Sequence, residues 1–264
     1  MYDFAYHRPK SLAEALASLK GKPEARPMSG GMTLIPTLKQ RLAKPTDVVD
    51  LGGIKELAGV KVEGNNVTIG AMTRHAEVAH SADVRKAIPA LAALAGMIGD
   101  RQVRAMGTLG GSIANNDPAA DYPAAVVALN ATVSTNSRKI PADSFFKGLF
   151  ETALEDGELI TSISFPKVEK AAYMKFPNPA SRYAMVGVFV AKTKSGARVA
   201  VTGAGPSVFR QKDMEAALGK NWSADAVAGI KQKADGLNSD IHASSEYRAH
   251  LVTVMAKRAV AAAG

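Results

Sequence analysis

A chain of 264 residues, 47% hydrophobic and 22% charged, has the make-up of a globular protein of one or two domains, long enough to bury a core without covalent staples. It has no cysteine, which excludes a disulfide scaffold, cysteine-held zinc or iron–sulfur clusters and a thiol nucleophile. The net charge of +9 is scattered, with no basic run of four and no aromatic-studded basic stripe, so nucleic acid is not the expected partner.

The opening residues carry Asp3 and no apolar run, so no signal peptide is expected, and no window approaches the ~18 apolar residues of a spanning helix. Ser11 and Glu14 have the spacing of a capping box and open a helix that should end at Lys20-Gly21. A short helix is expected over 34–42 and a strand over 47–51. Residues 59–71 alternate apolar and polar side chains around Glu63-Gly64-Asn65-Asn66, a hairpin signal. Helical pattern follows from Thr73, over 81–86 and over 89–98, and then a glycine-rich stretch, 107–112. Asp117-Pro118 reads as a cap with Pro at the first helical position, opening a helix to about Leu129. Residues 131–135 and 159–165 read as strands. Pro166–Lys170 is a polar break. Beyond it come three strand-like runs, 172–176, 184–192 and 197–202, then three helical runs, 211–218, 224–234 and 245–262. Phe209–Lys212 is too polar for a helix packed on a sheet and reads as a turn. Strands followed by helices after a mixed first part indicate an α+β protein.

Two segments pair glycines with small hydroxyls. One is Ser29-Gly30-Gly31-Met32-Thr33-Leu34; the other is Gly107-Thr108-Leu109-Gly110-Gly111-Ser112. Glycine lets backbone N–H groups approach an anion and tolerates positive φ, so the two segments form a candidate clamp for a pyrophosphate; each is equally readable as a tight turn. Known mononucleotide and dinucleotide patterns fail, because Gly203-Ala204-Gly205 is followed by Val208 where a third glycine is needed. Asp117 is most simply a cap, and Asp121 is either an acceptor for a polyol hydroxyl or a solvated first-turn acid. His7, His75, His80, His242 and His250 have no metal-ligand spacing and read as surface or packing residues. The ten methionines read as core filler, and no nucleophile elbow is present.

Taken together, the two segments resemble the A-G-G-[HQ]-[ST]-L-[IL]-P and G-T-[IL]-G-G-[NS]-[IL]-A…D-P-x-x-D motifs of the flavin-binding subunits of molybdenum hydroxylases, the family of aerobic carbon monoxide dehydrogenase and xanthine dehydrogenase. Further likeness lies in the opening F-x-Y-x-x-P-x-S-x-x-E-A, in Ile69–Thr73, in Glu158–Ile163 and in Asn178–Ala184, so it spans about the whole chain. Departures are Ser29 for Ala, Met32 for His or Gln, and Ala105-Met106 for Asn-Arg.

The resemblance implies an FAD-binding fold of the vanillyl-alcohol-oxidase (PCMH) type over residues 1–167, in α+β subdomains of about 1–52 and 53–167. A C-terminal domain, 168–264, would hold a three-stranded antiparallel sheet with helices. It implies that Ser29, Gly30, Gly31, Met32, Thr33 and Leu34 approach the FAD pyrophosphate from one side, and Thr108, Gly110, Gly111, Ser112 and Ala114 from the other. Asp121 would meet ribityl or ribose hydroxyls, Leu159 and Ile160 would pack beside the cofactor, Lys175 would lie near the isoalloxazine, and Tyr183 would flank it. No residue would act as acid, base or nucleophile, and no metal would bind. The implied function is an oxidoreductase subunit that relays electrons to quinone, NAD or oxygen. The substrate-oxidising molybdenum cofactor would lie on a large partner subunit and 2Fe-2S clusters on a small one, in a dimer of heterotrimers placed in the cytoplasm, free or peripheral to the inner membrane face. A stand-alone flavin- or nucleotide-binding module is the alternative.

Overall fold

The structure, a computed structural model, describes residues 1–264. Its first sheet has three parallel strands, Ala5–His7, Asp47–Asp50 and Arg26–Met28, with Asp47–Asp50 in the centre. Parallel neighbours need crossovers, and the helices Leu12–Leu19 and Leu34–Lys39 supply them. The Ser11 hydroxyl accepts from Glu14 N, while the Glu14 carboxylate reaches back to Lys10 N rather than to Ser11. Ala15 and Leu19 bury one face of the first helix against Val49, Leu51, Ile54 and Leu57. Asp47, buried at the sheet end, holds His7 Nε2 and Lys22 Nζ, each at 2.6 Å.

The second sheet is antiparallel and five-stranded. The expected hairpin, Val60–Glu63 with Asn66–Gly70, forms one side, and Thr132–Thr135 with Lys139–Pro141 the other. Ile160–Pro166 inserts between them. A layer of short helices covers one face: His75–His80, Ala82–Ala87, Pro89–Gly96, Arg101–Met106, Leu109–Asn115 and Tyr122–Ala128. Alanines at 90, 92, 95, 124, 125 and 128 let these helices pack closely against Val67, Ile69, Val133, Ile163 and Phe165.

The third sheet is antiparallel and has four strands rather than three: Lys170–Pro177, Ala184–Thr193, Gly196–Thr202 and the short Phe209–Arg210. The last was expected as a turn. It pairs with Ala200 and Val201, and its polar Arg210 is held at the edge by Glu215 and Asp143. Val186, Val188, Val190, Val199 and Val201 face the helices Lys212–Lys220, Ala224–Ala228 and Ser245–Ala263. Tyr173, Phe189, Ala191 and Ala200 face the other way, into the core under Tyr122–Ala128. Burial on both faces explains the near-continuous apolar run 184–191.

Three further expectations change. The glycine-rich stretch becomes a helix from Leu109, because Thr108 caps it: the Thr108 hydroxyl accepts from Gly111 N at 3.1 Å. Asp117 does not open the next helix. Its carboxylate accepts from Ala119 N in a local turn, Pro118 O and Ala120 O accept from the edge of the third sheet, and the helix starts at Tyr122. The helix expected over 224–234 stops at Ala228, where Gly229 follows. The helix Arg101–Met106 and the hairpin Phe146–Gly148/Glu151–Thr152 have no counterpart in the sequence reading.

Gly110 sits where the helix crosses the second sheet, and a Cβ there would come within 2.8 Å of Ala71 O. Gly110→Ala is therefore expected to destabilise by about 1–3 kcal/mol through overpacking. Gly219, exposed in a helix with nothing within 4 Å of a Cβ, is expected to stabilise by about 0.5–1 kcal/mol when replaced by Ala. Urea unfolding of the two variants checks both signs.

Candidate functional site

A cavity of about 530 Å³, in the range of small-molecule sites, opens where the three sheets meet. One wall is the loop after Arg26–Met28, the second the start of helix Leu109–Asn115, the third Glu158–Ile160, and the rim is Ser181 and Tyr183. Fifteen of the sequence-derived candidates line it: Ser29, Gly30, Gly31, Met32, Thr33, Leu34, Thr108, Gly110, Gly111, Ser112, Ala114, Asp121, Leu159, Ile160 and Tyr183.

The two glycine segments touch. A Cβ on Gly30 would lie 2.0 Å from Met106 O and 2.7 Å from Gly107 Cα, so only glycine allows the approach. Across the same contact the Ser29 and Thr108 hydroxyls are 2.5 Å apart. Gly31 has φ of +72°, a left-handed conformation that favours glycine.

Their donors are unequal. The backbone N–H groups of Gly30, Gly31, Met32 and Thr33 donate to no atom of the chain. Those of the second segment are occupied: Leu109 N donates to Thr73 O, Gly110 N to Ala71 O, Gly111 N to the Thr108 hydroxyl and Ser112 N to Thr108 O. The first segment thus offers a row of open amides, and the second offers a close, side-chain-free surface with the Ser112 hydroxyl.

Asp121 is not a solvated acid. It is 4% exposed, accepts from Tyr173 OH at 2.5 Å, and pairs with Lys175 Nζ at 3.0 Å. Burial pushes its carboxyl above the usual range, opposed by the Lys175 ammonium and the Tyr173 hydroxyl. Lys175 itself does not reach the cavity wall. Its ammonium is taken up behind Asp121, where it also donates to Met97 O at 2.9 Å. Tyr183 is half-exposed at the rim, carried by a turn in which Asn178 Oδ1 accepts from Ala180 N and Ser181 N.

Two buried titratable residues are among the wall residues that escaped the sequence reading. Glu158 carries its carboxylate in a cage of Arg138, Thr135, Ser137 and Glu155 N, which holds it down at about 2. His75, expected at a surface or in packing, is buried at the cavity wall, and burial with the Arg104 charge lowers it to about 4. A lone histidine carries no local signal of this; its burial comes from the helices packed round it.

Residues 2–168 match the family described as the FAD binding domain in molybdopterin dehydrogenase. The chain belongs to the FAD-binding medium subunits of molybdenum hydroxylases. Residues 171–263 match the CO dehydrogenase flavoprotein C-terminal domain. The chain is similar to the glyceraldehyde dehydrogenase medium chain of Sulfolobus acidocaldarius, 38% identical over 97% of each chain. It is also similar to the carbon monoxide dehydrogenase medium chain of Hydrogenophaga pseudoflava, 35% identical over 98% of this chain and 96% of that one. Among solved structures, reconstituted CO dehydrogenase from Oligotropha carboxidovorans superposes with a TM-score of 0.93 at 33% identity, covering 99% of this chain and 98% of that one. As a medium subunit of this family, the chain is an FAD-binding part of a multi-subunit oxidoreductase. The open amides of Gly30–Thr33 and the side-chain-free contact at Gly30 and Gly107 fit a pyrophosphate. No helix is long and apolar enough to cross a membrane.

The caged carboxylates make acid stability specific. Glu158 and Asp47 both lie at about 2, below the ~4 of an unfolded carboxyl, so their stabilisation is complete above that range and is lost as pH falls towards 2. Glu158→Gln and Asp47→Asn are each expected to flatten the fall of Tm between about pH 5 and pH 2, measured by calorimetry across that window.

Proposed function

We propose that the cavity holds FAD with its pyrophosphate on the open amides of Gly30, Gly31, Met32 and Thr33, and that those unpartnered donors are the single feature that carries the reading. Ser29, Leu34, Thr108, Gly110, Gly111, Ser112 and Ala114 complete the cradle. Thr108 and the glycines serve mainly as shape, since their amides are spent within the fold. Asp121 accepts from a ribityl or ribose hydroxyl. Lys175 acts through Asp121, neutralising it, rather than touching the flavin. Leu159 and Ile160 give an apolar wall, and Tyr183 flanks the flavin and shields it from water at the rim.

Bound FAD supplies one-electron and two-electron redox chemistry. The chain's residues bind and orient it, and none need transfer a proton or form a bond. Electrons would arrive from 2Fe-2S clusters of a small subunit, after substrate oxidation at a molybdenum cofactor on a large subunit. They would leave to quinone, NAD or oxygen. The assembly would be a cytoplasmic dimer of heterotrimers, with this chain divided into an FAD-binding domain, 1–167 (subdomains about 1–52 and 53–167), and a C-terminal domain, 168–264. The division places the boundary in the polar segment before the third sheet, although that sheet shares core residues with the helices of the first part.

Incubation of the purified chain with FAD, followed by desalting, should leave an oxidised-flavin absorbance spectrum, with FAD rather than FMN released on denaturation. Co-purification with two further chains tests the relay; a lone monomer that oxidises an alcohol with oxygen would overturn it.

Gly111 lies at the contact of the two segments. A Cβ there would meet the Ser29 hydroxyl at 2.7 Å, the Thr108 hydroxyl at 3.0 Å and Ser29 Cβ at 3.1 Å, at the cavity wall. Gly111→Val is expected to lower FAD affinity by about tenfold or more, because the added bulk separates the cradle from the phosphates. Fluorescence titration measures the loss, and normal flavin occupancy would show that the segment serves only the fold.

A further inference from the structure

His75 opens a helix directly against the cavity, and it is the one buried wall side chain with a polar atom that the fold leaves unpaired. It is 4% exposed, and Nδ1 is buried with no partner. Nε2 likewise makes no hydrogen bond in the chain, and lies where a Cβ on Gly107 would come within 2.6 Å. Buried polar groups are nearly always paired; Nδ1 is sealed from the cavity, so Nε2, equally without a partner in the chain, is the ring atom a ligand can complete. Burial and the neighbouring Arg104 charge keep the ring neutral at pH 7, with one N–H to donate and one nitrogen to accept. Around it, the Tyr122 ring packs at 5.3 Å, and the Tyr122 hydroxyl is also buried without a partner.

Position identifies the ligand atom. His75 and Gly30 both converge on Gly107: His75 Nε2 lies 2.6 Å from where a Gly107 Cβ would stand, and Gly107 Cα lies 2.7 Å from where a Gly30 Cβ would stand. Gly30 begins the row of open amides. Ring and amide row therefore address the same end of the cavity across one side-chain-free residue.

We propose that His75 is a cofactor-binding residue whose ring N–H donates to a pyrophosphate oxygen of the bound dinucleotide. The inference rests on the reading that the cavity holds FAD, and it adds a donor that the two glycine segments do not contain.

The test compares His75→Phe, His75→Gln and Tyr122→Phe with the wild-type chain. FAD affinity is read by flavin fluorescence at pH 7, ADP affinity by competition, and the Tm of each cofactor-free chain by calorimetry. His75→Phe keeps the ring volume and removes the donor, so it should weaken FAD and ADP alike by about tenfold. Its cofactor-free Tm should equal or exceed that of wild type, because an unpaired buried polar group is gone. His75→Gln, which retains an N–H, should recover most of the affinity, and Tyr122→Phe should bind as wild type does. Unchanged FAD affinity in His75→Phe overturns the inference. So does a loss confined to FAD and absent for ADP, or a loss that Tyr122→Phe reproduces, or one accompanied by a lower cofactor-free Tm and not recovered by Gln. A wild-type chain that takes up no FAD overturns instead the assignment of the cavity, and the inference falls with it.

Discussion

Gly30 meets Met106 and Gly107 through backbone alone, at distances no Cβ would permit. That contact joins the first sheet to the helical layer and creates the cavity between them. Around it the chain spends hydrogen bonds to hold one partner rigid: Thr73 O and Ala71 O take the first two amides of the Leu109 helix, and His75 N donates to Gly107 O. The other partner, the loop at Gly30–Thr33, is left with its amides open. One segment is thus scaffold, and the other is the receptor in the proposed reading. The Ser29–Thr108 hydroxyl pair fixes their separation while leaving both backbones side-chain-free.

The third sheet closes the cavity through a buried charge. Asp121 is held by Tyr173 and Lys175 from the edge strand, and Lys175 also binds the carbonyl of Met97 in the helical layer. A lone carboxylate at this depth would be costly, and the paired ammonium offsets that cost while tying three elements together. Arg198 repeats the device on the same sheet, reaching Val127 O and Asp143 in the first part of the chain. The two parts of the chain therefore share polar ties as well as an apolar core, which keeps Tyr183 in a fixed place at the rim.

Much of this was legible in the sequence, and the misses have physical causes. The hairpin around Gly64 and the three long C-terminal strands follow from alternation and apolar runs, which are local properties. The paired glycines marked both cavity walls because close backbone approach needs glycine whatever the distant partner is. The helix at Leu109 was missed because glycine lowers helix propensity, while the Thr108 cap and the contact with Ala71 restore it through tertiary structure. The short strand Phe209–Arg210 was missed because two residues carry no period, and their pairing is decided by the free edge at Ala200–Val201. Lys175 and the cavity-wall position of His75 were not legible for one reason: long-range packing decides whether a titratable side chain meets a cavity, a buried carboxylate or nothing, and spacing along the chain does not record it.

The unequal distribution of donors bears on how the site tolerates change. Met32 stands where the family resemblance has His or Gln, so a polar side chain is absent from the receptor loop. Its backbone amide is open all the same, and backbone donors do not depend on the side chain they accompany. A loop that binds through its amides can exchange side chains freely except where geometry demands glycine, as at Gly30 and Gly31. The same logic ranks the second segment: its amides already serve the fold, so a side chain at Gly110 presses on the backbone of Ala71, and one at Gly111 presses on the Ser29–Thr108 pair at the cavity wall. Shape and donors are thereby assigned to different stretches of chain, and each can vary without cancelling the other.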